Sequence, residues 1–243
     1  MDAAFLLKFL ADVGQNNDRE WFATQTERYQ TVRAQFQEFV GEVLLNLADV
    51  RPAFGALDPA KRIFRIHRDV RFAKNKTPYK TNVSAVIGES GKNTGDPCGY
   101  FQIEPGGKSM VACGLYQPAT AELHLIRQRI AADPAPLRTI LRGMKKQYPD
   151  GFTGERSARL RGFTTDHAAH DLLIFKSYVA TRSFTDEAVA AKTFPAQLKA
   201  SLRAMFPLLD WLDGARQDPD GQGGGSSLLT ADERREIKKE RRK

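Results

Sequence analysis

The stretch GYFQIEPGGKSMVACGL, residues 99–115, decides the fold class. Tyr100, Phe101 and Ile103 precede the turn signal Pro105-Gly106-Gly107, and Met110, Val111, Ala112, Cys113 and Leu115 follow it. Two apolar runs joined by a short Pro/Gly turn pair as a hairpin, so their directions oppose. Upstream, Val83, Ala85 and Ile87 alternate as another strand, and Ile63, Phe64, Ile66, Val70 and Phe72 are β-formers set among charges. A largely antiparallel sheet is therefore expected over about residues 61–115.

Helical patterns flank that sheet. Phe5, Leu6, Phe9, Leu10 and Val13 share one face of a short helix that ends at Gly14. Asn17 with Glu20 reads as the cap of a second helix. Trp21, Phe22, Tyr29, Val32, Phe36, Phe39, Val40, Val43 and Leu44 carry that helix to about Leu47. An aromatic stripe at this spacing reads as core, not as a cofactor site. Further helices are expected over about 121–132, 136–147 and 186–205, with a short apolar element at Leu172, Leu173, Ile174 and Phe175. Helices, then strands, then helices give an α+β fold. A single domain is expected over 1–215, then a Gly/Ser-rich linker over 216–228. A basic tail over 229–243 reads as a solvated helix or a disordered segment.

The chain has 243 residues, 41% of them hydrophobic, enough for one large core or two small ones. No run approaches the ~20 apolar residues of a membrane span, and no membrane partner is expected. The start, MDAAFLLKFLADV, carries an acid where an export signal needs bases, and Lys8 breaks its apolar run. Cys98 and Cys113 are too few for a disulfide framework and read as reduced thiols. A cytoplasmic protein is expected.

The net charge of +8 is unevenly spread. Residues 61–80 hold eight bases against Asp69, a net +7; residues 230–243 add +3, and the rest of the chain carries −2. Such concentration points to an anionic partner, the plain alternative being a solvated basic face. The centre of the basic segment is RIHRDVRFAKNKTPYKTN, residues 65–82. As a strand it would place Arg65, His67, Asp69 and Arg71 on one face and Phe64, Ile66, Arg68, Val70 and Phe72 on the other. Arg68 on the core side would need a partner, with Asp69, Glu104 or Glu89 available. Alternatively, Arg68 and Asp69 are purely architectural. Arg65, Arg68, Arg71, Lys74, Lys76, Tyr79 and Lys80 are expected to line a cationic groove for a phosphate-bearing ligand, nucleic acid being the first choice. Lys176, beside Tyr178, would extend the groove if the sheet placed it there. No Walker loop or dinucleotide fingerprint is present. Gly88-Glu89-Ser90-Gly91 reads as a hairpin loop.

Two catalytic readings are weaker. Asp69 and Glu104, with Glu89 and Asp96 nearby in sequence, could hold a divalent metal or act as acid and base on a phosphoester. Glu104 and Lys108 lack the tight spacing such nucleases use. His167 and His170 share a helix face and could ligate a metal, but Asp166 reads equally as a helix cap. No cofactor is expected apart from that divalent metal. A third reading is a protein-interaction module.

The segments NNDREWF, RDVRFAKNKTPYKTN, GYFQIEPGGKSMVACGLYQP, L-x-x-IRQRI and DLLIFKSY occur in an order that resembles a widespread bacterial family, domain of unknown function 2461. The resemblance spans about Phe5 to Met205. It implies an intracellular α+β domain and supplies no catalytic residue. His67 departs from the family pattern, where tyrosine is more usual before Arg68, so a catalytic role for His67 is not implied.

Overall fold

Side-chain caps set the first helices. Asp2 accepts a hydrogen bond from the Phe5 N–H at 3.0 Å and starts α1, Ala3–Gln15, which buries Leu6, Phe9, Leu10 and Val13. The computed structural model describes residues 1–217 apart from 158, 159, 161 and 165. Nearly all of the expected linker and the whole tail lie outside the described residues.

Asn17 does not cap the second helix. Asp18 does, accepting from the Trp21 N–H at 2.8 Å, and α2 covers only Arg19–Thr24. The long helix expected to reach Leu47 is therefore two, because the chain leaves helical geometry at Gln25 before α3, Thr26–Leu47. The hydroxyls of Thr24 and Thr26 donate back to the carbonyls of Trp21 and Ala23, a side-chain competition that weakens a helix locally. A 3-10 turn at Pro52–Ala56 and α4, Pro59–Arg62, capped by Asp58, lead to the sheet.

The sheet has the order β1-β2-β3-β4, with β1 Val83–Ile87, β2 Cys98–Ile103, β3 Ser109–Leu115 and β4 Tyr178–Phe184. β1 and β2 are antiparallel, with Val83 opposite Ile103 and Ala85 opposite Phe101. The Pro105-Gly106-Gly107 hairpin forms as expected, both glycines having positive φ. Their N–H groups donate to Asp186, just after β4. Gly114, near the other end of β3, faces the Tyr178 carbonyl at the start of β4, so these two strands also run in opposite directions. The expected fold class, α+β on an antiparallel sheet, is what forms. β4 gave no strand signal because Ala180 and Ser183 dilute its alternation. The expected strand at 63–72 is absent; the 63–82 region makes only isolated bridges, Ile63 with Ala85 and His67 with Tyr79. The helix expected over 186–205 is split into α8, Asp186–Ala190, and α9, Phe194–Ala204. A further helix, α10, spans Phe206–Ala215. Pro195 and Pro207 lack an N–H and lie in the first turns of α9 and α10, where none is needed.

The chain forms two compact units. The first contains Met1–Lys92, Cys98–Ala112 and Thr181–Ala204. Its core joins the α3 stripe to one face of β2: Phe36 and Phe39 pack on Phe101 at 5.6 and 6.0 Å between ring centres, and Phe39 stacks on Phe194. Phe22, Phe36 and Phe39 of the stripe are core, as its spacing indicated, while Trp21 and Tyr29 are half-buried. The second unit contains Asn93–Pro97, Cys113–Ala180 and the chain from Met205. It includes α5 Thr120–Ala132, α6 Ala135–Met144 and α7 His170–Leu173. Phe152, Phe175 and Tyr178 form a ring cluster, and Arg127 donates to the carbonyls of Leu173 and Phe175. Burial pushes the Tyr178 hydroxyl up to about 12, partly opposed by Arg127.

Two glycines separate backbone necessity from convenience. Gly114 has φ +127°, and a Cβ there would lie 1.9 Å from the Tyr178 carbonyl oxygen. Gly143 is exposed near the end of α6, with open space around it. Gly114→Ala should melt far below the parent chain or fail to fold, whereas Gly143→Ala should stabilise by roughly 0.5–1 kcal/mol. Thermal unfolding followed by circular dichroism reads both. A Gly114→Ala protein as stable as the parent would refute the close approach of β3 and β4.

Candidate functional site

The basic segment folds back on itself instead of forming a strand. The Phe64 N–H donates to the Ser84 carbonyl at 2.9 Å, which holds its start to β1. The Lys80 N–H then donates to Ile66 O and the Arg68 N–H to Pro78 O, both at 2.8 Å, closing a loop over 69–77. Alternation survives through Ile66, which is buried between exposed Arg65 and His67. It then fails: Phe72, expected on the core side, is 96% exposed. The reason is local chemistry. Asp69 accepts from the Arg71 N–H and Asn75 from the Thr77 N–H, turn-forming bonds that replace a ladder, and Pro78 has no N–H to give one.

Tyr79 belongs to the core. It is 7% exposed and stacks on Phe22 with ring centres 3.8 Å apart, so it cannot stack on a ligand as expected. Asn17 fixes its backbone from both sides: Oδ1 accepts from the Tyr79 N–H and Nδ2 donates to the Tyr79 carbonyl, each at 3.0 Å.

Three of the expected ligand-binding cations hold the loop together. Arg68 donates to the Thr77 carbonyl at 3.1 Å and to the Thr77 hydroxyl; its partner is not one of the proposed acids. Arg71 grips Asp69 with Nε at 3.0 Å and a terminal nitrogen at 2.7 Å. That grip lowers the Asp69 carboxyl to about 2. Lys76 donates to the carbonyls of Val70 and Arg71 at 3.0 and 3.3 Å. Arg65 and Lys74 remain exposed.

Lys80 belongs to a different arrangement, around Phe64. Its Nζ lies 5.3 Å from the Phe64 ring centre and that of Lys92 lies 5.8 Å from it. Lys92 also donates to the Ile63 carbonyl at 2.7 Å. Burial, then the nearby charges of Arg65 and Lys92, push the Lys80 amine below the ordinary lysine value; burial and then Arg62 do the same to Lys92. Arg62, only 8% exposed, donates to the Glu89 carbonyl at 3.1 Å, and its Nε is buried with no hydrogen-bond partner. Gly91, at φ +88°, leaves room for this guanidinium: a Cβ would sit 2.8 Å from it. The hairpin-loop reading of 88–91 is therefore correct. Arg62, Lys92, Lys80 and Arg65 thus form a cationic track, each within electrostatic reach of the next. Arg65 also acts on Asp69 at the foot of the loop. Lys92 was missed in the sequence because only the β1–β2 hairpin brings it beside Phe64.

Beside this track lies the outward face of β2. Tyr100, whose ring centre is 6.0 Å from that of Phe64, donates its hydroxyl to Gln102 at 2.8 Å. Gln102 donates to Glu104 at 3.0 Å, and Glu104 also accepts from Thr81 at 2.8 Å and Asn82 at 3.4 Å. Burial is the main cause of the raised Tyr100 hydroxyl. Glu104 is therefore anchored by neutral groups, while Asp69 is held by Arg71. Among the described residues no three carboxylates, histidines or cysteines gather as a metal site. Asp96 pairs with Arg216, and Lys176 pairs with Glu155, both in the second unit. There, too, His167 Nδ1 accepts from the Ala169 N–H at 3.0 Å, and His170 opens α7. The cap position of α7 is Ala169, not Asp166.

Removing the Asn17 amide leaves a part-buried N–H and carbonyl of Tyr79 without their partner. Asn17→Ala should therefore destabilise by about 1–3 kcal/mol, measured by urea unfolding, and Asn17→Asp, which keeps the acceptor, should lose less. A loss for Asn17→Ala below about 0.5 kcal/mol, the range of ordinary surface substitutions, would show that the clasp does not hold the segment.

Among the described residues no helix is long and apolar enough to cross a membrane. No curated protein and no solved structure matches the chain significantly. The family described as conserved hypothetical protein (DUF2461) matches residues 6–211, most of the chain and all of the site just described. The chain therefore belongs to that family.

Proposed function

We propose that the protein binds a phosphate-bearing ligand, nucleic acid first among them, along the track of Lys92, Lys80 and Arg65. One observation carries the reading: the part-buried amines of Lys80 and Lys92 lie over the same Phe64 ring, 5.3 and 5.8 Å from its centre, and the charges that act on them are positive. Like charges held together out of water are unfavourable, and an anion placed among them removes the repulsion. Arginine offers a planar fork and the lysines offer point charges, a combination suited to phosphate oxygens. Phe64 and Tyr100 supply an apolar wall beside them. The expected groove is thereby redrawn. Arg65 and Lys80 stay in it and Lys92 joins. Arg68, Arg71 and Lys76 support the loop, Tyr79 leaves for the core, and Lys74 lies on the loop's exposed side. A cytoplasmic location is part of this proposal, on the sequence reading that two cysteines are too few for a disulfide framework.

The test is binding of a labelled oligonucleotide and of inorganic polyphosphate to the full chain across a salt series. Lys80→Ala/Lys92→Ala should weaken both and flatten the salt slope by about 0.7–0.9 for each phosphate that is no longer neutralised. Lys176→Ala, in the other unit, should change neither. An unaltered slope in the double variant would overturn the reading.

The amines also give a pH signature. Unfolded lysines keep their protons to about pH 10.4, whereas folded Lys80 and Lys92 release theirs earlier. Between those points the unfolded chain holds more protons, so stability without ligand rises with pH, while affinity for polyphosphate falls. Melting temperatures of the parent and of Lys80→Gln/Lys92→Gln over that window measure the effect. The excess rise should disappear in the variant; an identical pH dependence in the two proteins would refute it.

A further inference from the structure

We infer that the 69–77 loop is a base-stacking arm, which makes the ligand of the cationic track single-stranded nucleic acid. This rests on the phosphate-binding reading above and goes further by naming the ligand's form and the residue that recognises it.

The observation is Phe72. A phenylalanine 96% exposed gains nothing from folding, yet the loop presenting it is fastened before and after it. Arg68 ties its two ends through Thr77, Lys76 holds the successive carbonyls of Val70 and Arg71 just before the ring, and Asp69 and Asn75 close its turns. The ring is thus displayed on a braced support, with little entropy left to lose when a partner binds. Arg71 lies 6.0 Å from the ring centre, but its charge is held by Asp69. Further positive charge comes from exposed Lys74, two residues on, and from exposed Arg65, which acts on both Asp69 and Lys80.

A flat apolar ring at one end of a line of cations matches a base followed by its phosphodiester backbone. In a duplex the base faces are already stacked on one another, so only a single strand offers one to Phe72. An anionic membrane fits less well. Lys80 and Lys92 are recessed beside Phe64 and would not meet a flat headgroup surface, and one ring is a weak anchor.

The experiment uses the full chain with labelled oligothymidylate, a duplex of oligothymidylate with oligoadenylate, inorganic polyphosphate, and phosphatidylserine-containing vesicles. Phe72→Ala and Phe72→Trp should melt like the parent, since the ring has no packing to lose. Phe72→Ala should weaken oligothymidylate binding roughly tenfold, the scale of one base stack, and leave polyphosphate binding unchanged. Phe72→Trp should retain binding, with indole fluorescence quenched by the oligonucleotide and not by polyphosphate. If Phe72→Ala binds oligothymidylate like the parent while Lys80→Ala/Lys92→Ala does not, the stacking inference falls and the phosphate reading stands. If neither variant matters, both fall. Duplex bound as tightly as single strand, or vesicle binding lost in Phe72→Ala while oligonucleotide binding is kept, would also overturn the inference.

Discussion

The Asn17 amide hydrogen-bonds both backbone groups of Tyr79, and the cationic segment depends on that clasp. With the Phe22–Tyr79 stack, it fixes one residue of an otherwise strandless stretch against the N-terminal helices. Once Tyr79 is fixed, Lys80 can meet Ile66 and Arg68 can meet Pro78, and the loop between them is closed. An asparagine suits this role because one planar amide offers a donor and an acceptor side by side, as a neighbouring strand would. A capping role would have used only the acceptor, and Asp18 fills that role next door.

The basic segment divides its charges between two tasks. Arg68, Arg71 and Lys76 satisfy carbonyls or a carboxylate within the loop, where a bare turn would leave polar groups to water. Lys80 answers instead to other cations, and Arg65 acts on both Lys80 and Asp69. A count of charge along the chain cannot distinguish these tasks, since the same residue types serve both. The difference lies in reach: the loop cations contact groups within nine residues of themselves, whereas Lys92, in the β1–β2 connection, contacts Ile63, 29 residues away.

What was legible in the sequence follows the same division by range. The Pro105-Gly106-Gly107 hairpin, the strand at Val83–Ile87 and the aromatic stripe of α3 all announce themselves through local pattern. β4 did not, because small and polar residues occupy alternate positions and its neighbour in the sheet is far along the chain. The segment from Ile63 to Phe72 had the composition of a strand, but Asp69 and Asn75 offered turn bonds that a composition count does not weigh. The charge of Arg65 and Lys80 is plain in the sequence; that the two act on one another is not. Tyr79 was misplaced because an aromatic among lysines looks like a ligand platform until Phe22 is found stacked on it.

Two arginines, buried Arg62 and largely buried Arg216, show why the cationic track stands apart. Arg216, in the second unit, pairs with Asp96, Glu122 and Asp213, so the expense of taking a guanidinium out of water is met by opposite charge. Arg62, in the first unit, is as deeply placed, yet it donates to a carbonyl, keeps an orphan Nε and adds its charge to that acting on Lys92. An unsatisfied buried donor costs about 1–3 kcal/mol, and repulsion among neighbouring cations adds to it. Gly91, in a conformation that only glycine adopts freely, is what lets the loop close over that guanidinium. A chain that neutralises one largely buried arginine with three acids has the means to neutralise the other. Among the described residues Arg62, Lys92 and Lys80 have no such acid: the charges that act on the two lysines are positive, an arrangement that lowers the stability of the free protein and that the proposed anion would relieve.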